Sequence, residues 1–245
     1  AYIVCVGTPL NSDQTDIIDA PIFELFETLV SIGIKRALVI LRSTVSVGFT
    51  RKISDLIYEL TRLKAGVDYN LAFCPERTVE GNAMRELIEL PQLVSGISES
   101  CSRRAELFFG HIATETVRCS SVEVAEMAKL ANNTFRDVTF AFANEIASAC
   151  DAVNISAVEV IEAANHNYPR NPIARPSPGV GGYCLTKDPI IFSLGLKGTP
   201  SGLKSLAETA RAINRDAALY PLKILERFSL EVGKPIHLMK IVVNR

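Results

Sequence analysis

The residues best equipped for covalent chemistry lie in one stretch, Pro178-Gly179-Val180-Gly181-Gly182-Tyr183-Cys184-Leu185-Thr186-Lys187-Asp188-Pro189. Three glycines in four positions lead into a cysteine, with a lysine and an aspartate close behind it. Glycine lets the backbone approach a bound group closely. A thiol at the start of a helical turn, beside an ammonium, is favoured as the thiolate, the form that attacks carbon. If residues 184 to 188 form one helical turn, Cys184 and Asp188 share a face and can work on the same substrate atom. The same letters also spell a tight turn around a buried structural cysteine, because free cysteine is among the most buried residue types. Local sequence leaves both readings open.

Such a loop needs a scaffold, and the first part of the chain predicts one. Apolar strand-like runs occur at Tyr2–Val6, Ala37–Leu41, Asn70–Phe73, Gln92–Gly96 and near Glu115–Val117. Helical periodicity fills Pro21–Ile34 and Gly48–Leu63. Strand and helix in alternation imply a parallel sheet wrapped by helices, with ligands beyond the carboxyl ends of the strands. Thr8, Ser43, Thr44 and Glu76 fall at such ends. From about Ser120 the pattern becomes helical. Val122 to Val153 is long enough for a spine or a dimerisation helix, and Ser156–Ala164, Asp188–Leu194 and Ser201–Glu226 read as further helices. Ile236–Val243 reads as a strand.

Composition narrows the function. With 48% hydrophobic and 22% charged residues, the 245-residue chain has the make-up of an ordinary globular protein. A formal charge of −1 gives no basic footprint for nucleic acid or an anionic membrane. Six scattered cysteines without a CxxC pair point to a reducing compartment and argue against a structural metal. The absence of any apolar run of ~18 residues completes the expectation of a cytoplasmic protein without a membrane partner. No strand–G-x-G-x-x-G–helix unit is present, since Gly179, Gly181 and Gly182 follow no strand.

Five ordered blocks carry a resemblance to a known family: Val6-Gly7-Thr8-Pro9; Ser43-Thr44-Val45-Ser46-Val47-Gly48; Cys74-Pro75-Glu76-Arg77 with Glu80-Gly81; Lys129-Leu130-Ala131-Asn132-Asn133; and the glycine-cysteine loop. In these the chain resembles the UDP-glucose/GDP-mannose dehydrogenase family, NAD-dependent enzymes that oxidise a nucleotide-sugar alcohol to the carboxylate. The resemblance covers most of residues 1 to 225. It implies a partial Rossmann-type sheet over residues 1–119, the C-terminal half of an NAD-binding domain beginning at its fourth strand. An all-α central dimerisation domain with a long spine helix follows over 120–227, and 228–245 would begin a nucleotide-sugar domain whose remainder is absent. A homodimer through the long helix and a place in polysaccharide precursor synthesis belong to the same expectation.

The resemblance also implies roles. Cys184 would capture an aldehyde as a thiohemiacetal and carry it on as a thioester, which water attacks readily. Lys129 would stabilise oxyanions by charge, with Asn133 donating a further hydrogen bond. Asp188 would move the proton, Glu76 and Glu80 would assist hydrolysis or orient the sugar, and Thr44 would stand near the reacting water. NAD would be held by Val6, Gly7, Thr8, Pro9, Ser43, Thr44, Val45, Glu80 and Lys187. The UDP-sugar would be held by Glu76, Arg77, Lys129, Asn133, Arg170, Arg175, Gly179 and Gly181, arginine offering a fork suited to phosphate. The phrase from Asn165 to Pro172 most resembles the branch acting on UDP-N-acetyl-D-mannosamine, although Tyr183 and Thr186 depart from its usual pattern. Taken singly, each residue has a plainer reading. Lys129 and Asn133 suit a solvated helix face, Glu76 and Glu80 surface carboxylates, and Thr44 a helix cap. Two rival readings of the whole are a β-hydroxyacid-type single-step dehydrogenase and a non-catalytic dimerisation core.

Overall fold

A computed structural model describes residues 1–79, 81–196 and 205–240. Among the described residues five strands form one sheet in the order β1 (Tyr2–Val4), β2 (Leu38–Leu41), β3 (Asn70–Phe73), β4 (Gln92–Gly96), β5 (Thr116–Arg118). The helices between them are α1 (Ala20–Ile32), α2 (Phe49–Thr61), α3 (Ala83–Glu89) and α4 (Glu99–Gly110). Every residue of β2 is buried, as expected for a strand covered on both faces. Alternation divides them. Val39 and Leu41 join Ile22 and Phe26 of α1 and Ile53 and Ile57 of α2, whereas Leu38 and Ile40 join Ala105 and Phe109 of α4.

The sheet is parallel as expected with one exception, β4, which pairs antiparallel with β3 through Ala72↔Gly96 and Phe73↔Ser95, while the other pairings are parallel. A parallel return requires a crossover that passes back along the sheet. Among the described residues the one helix between β3 and β4 is the seven-residue α3, which buries none of its residues and performs no such crossing.

The chain packs as two compact units: residues 1–134 with the described part of 187–202, and residues 135–186 with the described part of 203–245. The second unit contains α6 (Ala157–Asn165), α7 (Gly182–Leu185), α9 (Leu206–Ala217) and α10 (Tyr220–Val232). Helix α8 (Asp188–Leu194) belongs to the first. The 31-residue α5 (Val122–Ala152) contains neither glycine nor proline and contributes to both. Ser156 and Ser205 cap α6 and α9 by accepting from the main chain of Glu159 and Glu208.

Two further expectations are corrected. The single helix over 201–226 is two, because Pro221 lacks the N–H that a continuing helix needs and instead occupies the first turn of α10. Its opening residues, 201–204, lie outside the described set. The expected strand at 236–243 opens as a short 3₁₀ turn at Ile236–Leu238, and residues 241–245 lie outside the described set. Among the described residues no helix is long and apolar enough to cross a membrane.

Candidate active site

In-register pairing of β1, β2 and β3 places Val4, Leu41 and Phe73 side by side, so the segments that follow them emerge together. Thr8 is buried there, and its hydroxyl donates to the Thr44 carbonyl at 2.6 Å. The same hydroxyl accepts from Lys187 Nζ at 3.1 Å. Sequence reasoning placed these residues on widely separated blocks, and the first unit brings them into one chain of contacts.

Asp188 extends that chain. Its side chain is fully buried; Oδ2 accepts from Asn133 Nδ2 at 2.6 Å, and Lys187 Nζ lies 3.4 Å from Oδ1 as an ion pair without hydrogen-bond geometry. Lys129 Nζ stands 3.9 Å from Oδ2, beyond hydrogen-bonding distance. Lys129 is itself 7% exposed, and among the described residues this carboxylate is its one polar contact. A buried ammonium thus keeps its N–H donors for another oxygen. Burial excludes the solvated-face reading for Lys129, while Asn133 is half-buried and held by its bond to Asp188. Helix α2 begins after Gly48, so Thr44 does not cap it.

Glu76 makes a different set of contacts. Its Oε2 pairs with the guanidinium of Arg42, and its Oε1 accepts from the main chain of Arg77 at 2.8 Å and Thr78 at 2.7 Å. Arg42, absent from the sequence expectations, is buried, lies 5.0 Å from the centre of the Phe109 ring and reaches Gln92 at 3.4 Å. An arginine directly after an apolar strand was the available signal. Burial works to raise the Glu76 carboxyl, but the Arg42 guanidinium and the Thr78 donors outweigh it and hold the group below its ordinary 4.5. The stability this contributes is present above 4.5 and is lost as pH falls through the lowered folded value. Glu76→Gln is therefore expected to melt below the parent at pH 6, with the gap closing towards pH 3. A gap constant with pH in thermal scans would reject the pairing. Arg77 is also engaged, donating to the Pro91 carbonyl. Glu80 lies outside the described residues.

Val6 is half-buried, while Gly7 and Pro9 are exposed. Ser43 and Val45 are buried, and Ser43 Oγ finds no partner among the described residues. A buried hydroxyl left open at the strand ends suits a polar group of a bound cofactor.

In the second unit Cys184 is exposed, which removes the structural-cysteine reading. The expected continuous helix from Cys184 to Asp188 is corrected. Helix α7 ends at Leu185, and α8 starts afresh at Asp188 after Lys187 at its N-cap, because Pro189 at the head of α8 cannot extend an earlier helix. Gly182, with φ +78°, holds a backbone conformation that side-chain-bearing residues rarely adopt. Gly179 and Gly181 flank it, Gly181 in extended geometry and Gly179 with open space around it. Arg175 pairs with Glu162 at 3.3 Å on a cavity of 570 Å³ that Ser177, Ile213 and Tyr220 also line. Arg170 lies over the Tyr168 ring. Burial pushes the Cys74 thiol up to about 12, so that cysteine is no rival nucleophile.

Sequence comparison places this geometry in a family. Residues 1–112 match the NAD binding domain of the UDP-glucose/GDP-mannose dehydrogenase family, and residues 123–216 match its central domain. The chain is 37% identical over 191 residues to a UDP-N-acetyl-D-mannosamine dehydrogenase of Pyrococcus horikoshii, covering 78% of this chain and 45% of the relative. It is 38% identical over 198 residues to the Escherichia coli K12 enzyme of that name, covering 77% and 46%. Among solved structures, a UDP-D-ManNAc dehydrogenase from Pyrococcus horikoshii superposes with a TM-score of 0.87 at 33% identity, over 95% of this chain and 54% of that one. The chain therefore spans about half the length of the relatives it matches. With both domain matches in order, and Lys129, Asn133 and Asp188 gathered within the second of them, the chain belongs to the UDP-glucose/GDP-mannose dehydrogenase family.

Proposed function

We propose that this chain carries the catalytic residues of an NAD-dependent dehydrogenase that oxidises the C6 alcohol of a UDP-sugar, UDP-N-acetyl-D-mannosamine, to the carboxylate in the cytoplasm. The observation that carries the reading is Lys129: a buried ammonium without a hydrogen-bond acceptor among the described residues, beside a buried carboxylate. Such a group favours negative charge developing on a substrate oxygen, at an interior site where the interaction is strong. The same site would serve both the first alkoxide and the later tetrahedral oxyanions.

NAD, when bound, accepts hydride. Thr8, Ser43, Thr44 and the main chain around them are the residues to hold it, Ser43 Oγ being the buried group still open. Asp188, oriented by Asn133, takes and returns protons. Cys184 adds to the aldehyde carbon as the carbonyl π bond opens onto oxygen, which takes the proton the thiol gives up; the thiohemiacetal carbon would then yield a second hydride to NAD and become the thioester. Hydrolysis then breaks that C–S bond, water supplying the second carboxylate oxygen and the thiol regaining a proton. Arg42 occupies Glu76, which favours an orienting role for that carboxylate over a basic one. Phe135 and Phe142, seven residues apart on α5 and 72% and 54% exposed, favour a homodimer through this helix.

Counting NADH against sugar tests the reading. Two equivalents per sugar are expected, and Cys184→Ser is expected to stall the second oxidation. One equivalent, with Cys184→Ser as active as the parent, would instead indicate a single-step dehydrogenase.

A further inference from the structure

The second unit contains a set of buried polar side chains that the reaction above leaves without a task. Asn144 of α5 grips one residue at both main-chain groups: its Nδ2 donates to the Ser177 carbonyl at 3.1 Å, and its Oδ1 accepts from the Ser177 N–H at 2.8 Å. Asn144 Nδ2 also donates to Asn214 Oδ1 at 2.9 Å. Asn214 of α9 donates in turn to the carbonyl and to Oδ1 of Asp137, each at 2.9 Å. Asp137 Oδ1 receives Arg211 Nη1 at 2.5 Å, and the same nitrogen donates to the Leu185 carbonyl at 3.0 Å.

The two ends of this network bracket one loop. Ser177 stands immediately before Pro178-Gly179, and Leu185 immediately after Cys184. Between them the chain is rich in glycine and largely exposed, with open space around Gly179 and Gly182. Such a segment has little packing of its own to select one conformation, and glycine widens the range it can sample. Asp137, Asn144 and Asn214, by contrast, are buried on helices whose caps and packing fix them. Asp137 Oδ2 finds no partner among the described residues, but every hydrogen bond that reaches the loop stems is made, and a buried chain of such bonds rigidifies what it holds.

We propose that Asp137, Asn144, Arg211 and Asn214 are positioning residues that pin both stems of the Cys184 loop, Arg211 through the carbonyl next to the thiol residue and Asn144 through Ser177. The consequence for turnover rests on Cys184 as the nucleophile, since a thiol displaced by about 1 Å can lose on the order of 10²-fold in rate. The anchoring itself does not rest on that reading.

Hydrogen–deuterium exchange of the whole chain, resolved by peptide, tests it. Arg211→Met is expected to speed exchange at 183–186 by at least tenfold, Asn144→Leu at 177–181, and Asn214→Leu at both stems. Peptides from α6 and from α2 should keep the parent's rates, a stem-limited pattern that general destabilisation would not give. Methylguanidinium is expected to restore slow exchange at 183–186 in Arg211→Ala. Loop exchange equal to the parent in all three variants overturns the proposal. If Arg211→Met loosens the whole unit, Arg211→Lys decides in its place, because it keeps the charge opposite Asp137 on a shorter, single-headed side chain; parental exchange at 183–186 there overturns the proposal. Failure to oxidise a UDP-sugar, with the stem-limited pattern intact, would refute the proposed function and leave the anchoring standing. The reverse result would do the opposite.

Discussion

Lys129→Met is expected to lower turnover by about 10²- to 10³-fold, the loss typical of removing one donor to a developing oxyanion, while KM for the cofactor changes little. Methionine has nearly the length of lysine and fills the same buried space, so packing is preserved and the charge alone is removed. Asp188 keeps Asn133 at 2.6 Å and Lys187 at 3.4 Å, and the contact it loses was 3.9 Å long. The fold should therefore change little, and a melting point within a few degrees of the parent is expected. Steady-state kinetics beside thermal scans separate the two effects. A variant that folds and turns over within threefold of the parent would remove Lys129 from the chemistry. A stronger form of the test compares Asn133→Asp, which places a second carboxylate against Asp188 in a buried site. Like charges there force one group to hold a proton, so the acidic limb of the rate profile is expected to move.

How much of this site could be read from sequence depends on how far apart its parts lie along the chain. Lys129 and Asn133 are four residues apart on a helix, and their shared face follows from helical geometry alone. The strand ends carrying Thr8, Thr44 and Glu76 were equally legible, because apolar runs such as Leu38–Leu41 mark buried parallel strands. Direction of pairing was not: nothing in Gln92–Gly96 itself distinguishes a strand running against its neighbour from one running with it. The turn at Thr186–Lys187 had a visible cause in Pro189, yet the spacing of Cys184 and Asp188 suggested one helical face. Arg42 and Asn214 were invisible for another reason. Their partners stand 34 and 77 residues away, and a polar side chain destined for burial needs a partner that its own neighbours along the chain do not name.

Glu126 is the clearest case of such a hidden pairing, and Glu126→Ala is expected to cost about 3–5 kcal/mol of stability. The N-cap of α2 is Gly48, at φ +87° and with no side chain to receive the first N–H groups of the helix. Glu126, fully buried on α5, supplies the missing acceptor. Its Oε2 accepts from Gly48 N–H at 2.6 Å, and its Oε1 accepts from Thr50 N–H at 2.9 Å and the Thr50 hydroxyl at 2.6 Å. Burial pushes the carboxyl above its ordinary 4.5, with these donors pulling the other way. Alanine leaves two buried Thr50 donors and the part-buried Gly48 N–H unpaired, a buried donor costing roughly 1–3 kcal/mol. At about 2–4 °C per kcal/mol for a domain of this size, the melting point should fall by roughly 10 °C. Glu126→Gln should fall less, because one amide oxygen still accepts while its NH₂ now faces an N–H donor. The position of Glu126 ties this cost to chemistry. It lies three residues before Lys129 on the same helix, and Gly48 closes the segment that starts at Ser43 and Thr44, so one carboxylate holds that segment against the helix that carries the ammonium. In Glu126→Gln, turnover should therefore drop even at temperatures where the protein is fully folded, and by more than in a surface variant of equal stability. A melting point within 2 °C of the parent for Glu126→Ala would show that α2 finds its cap elsewhere.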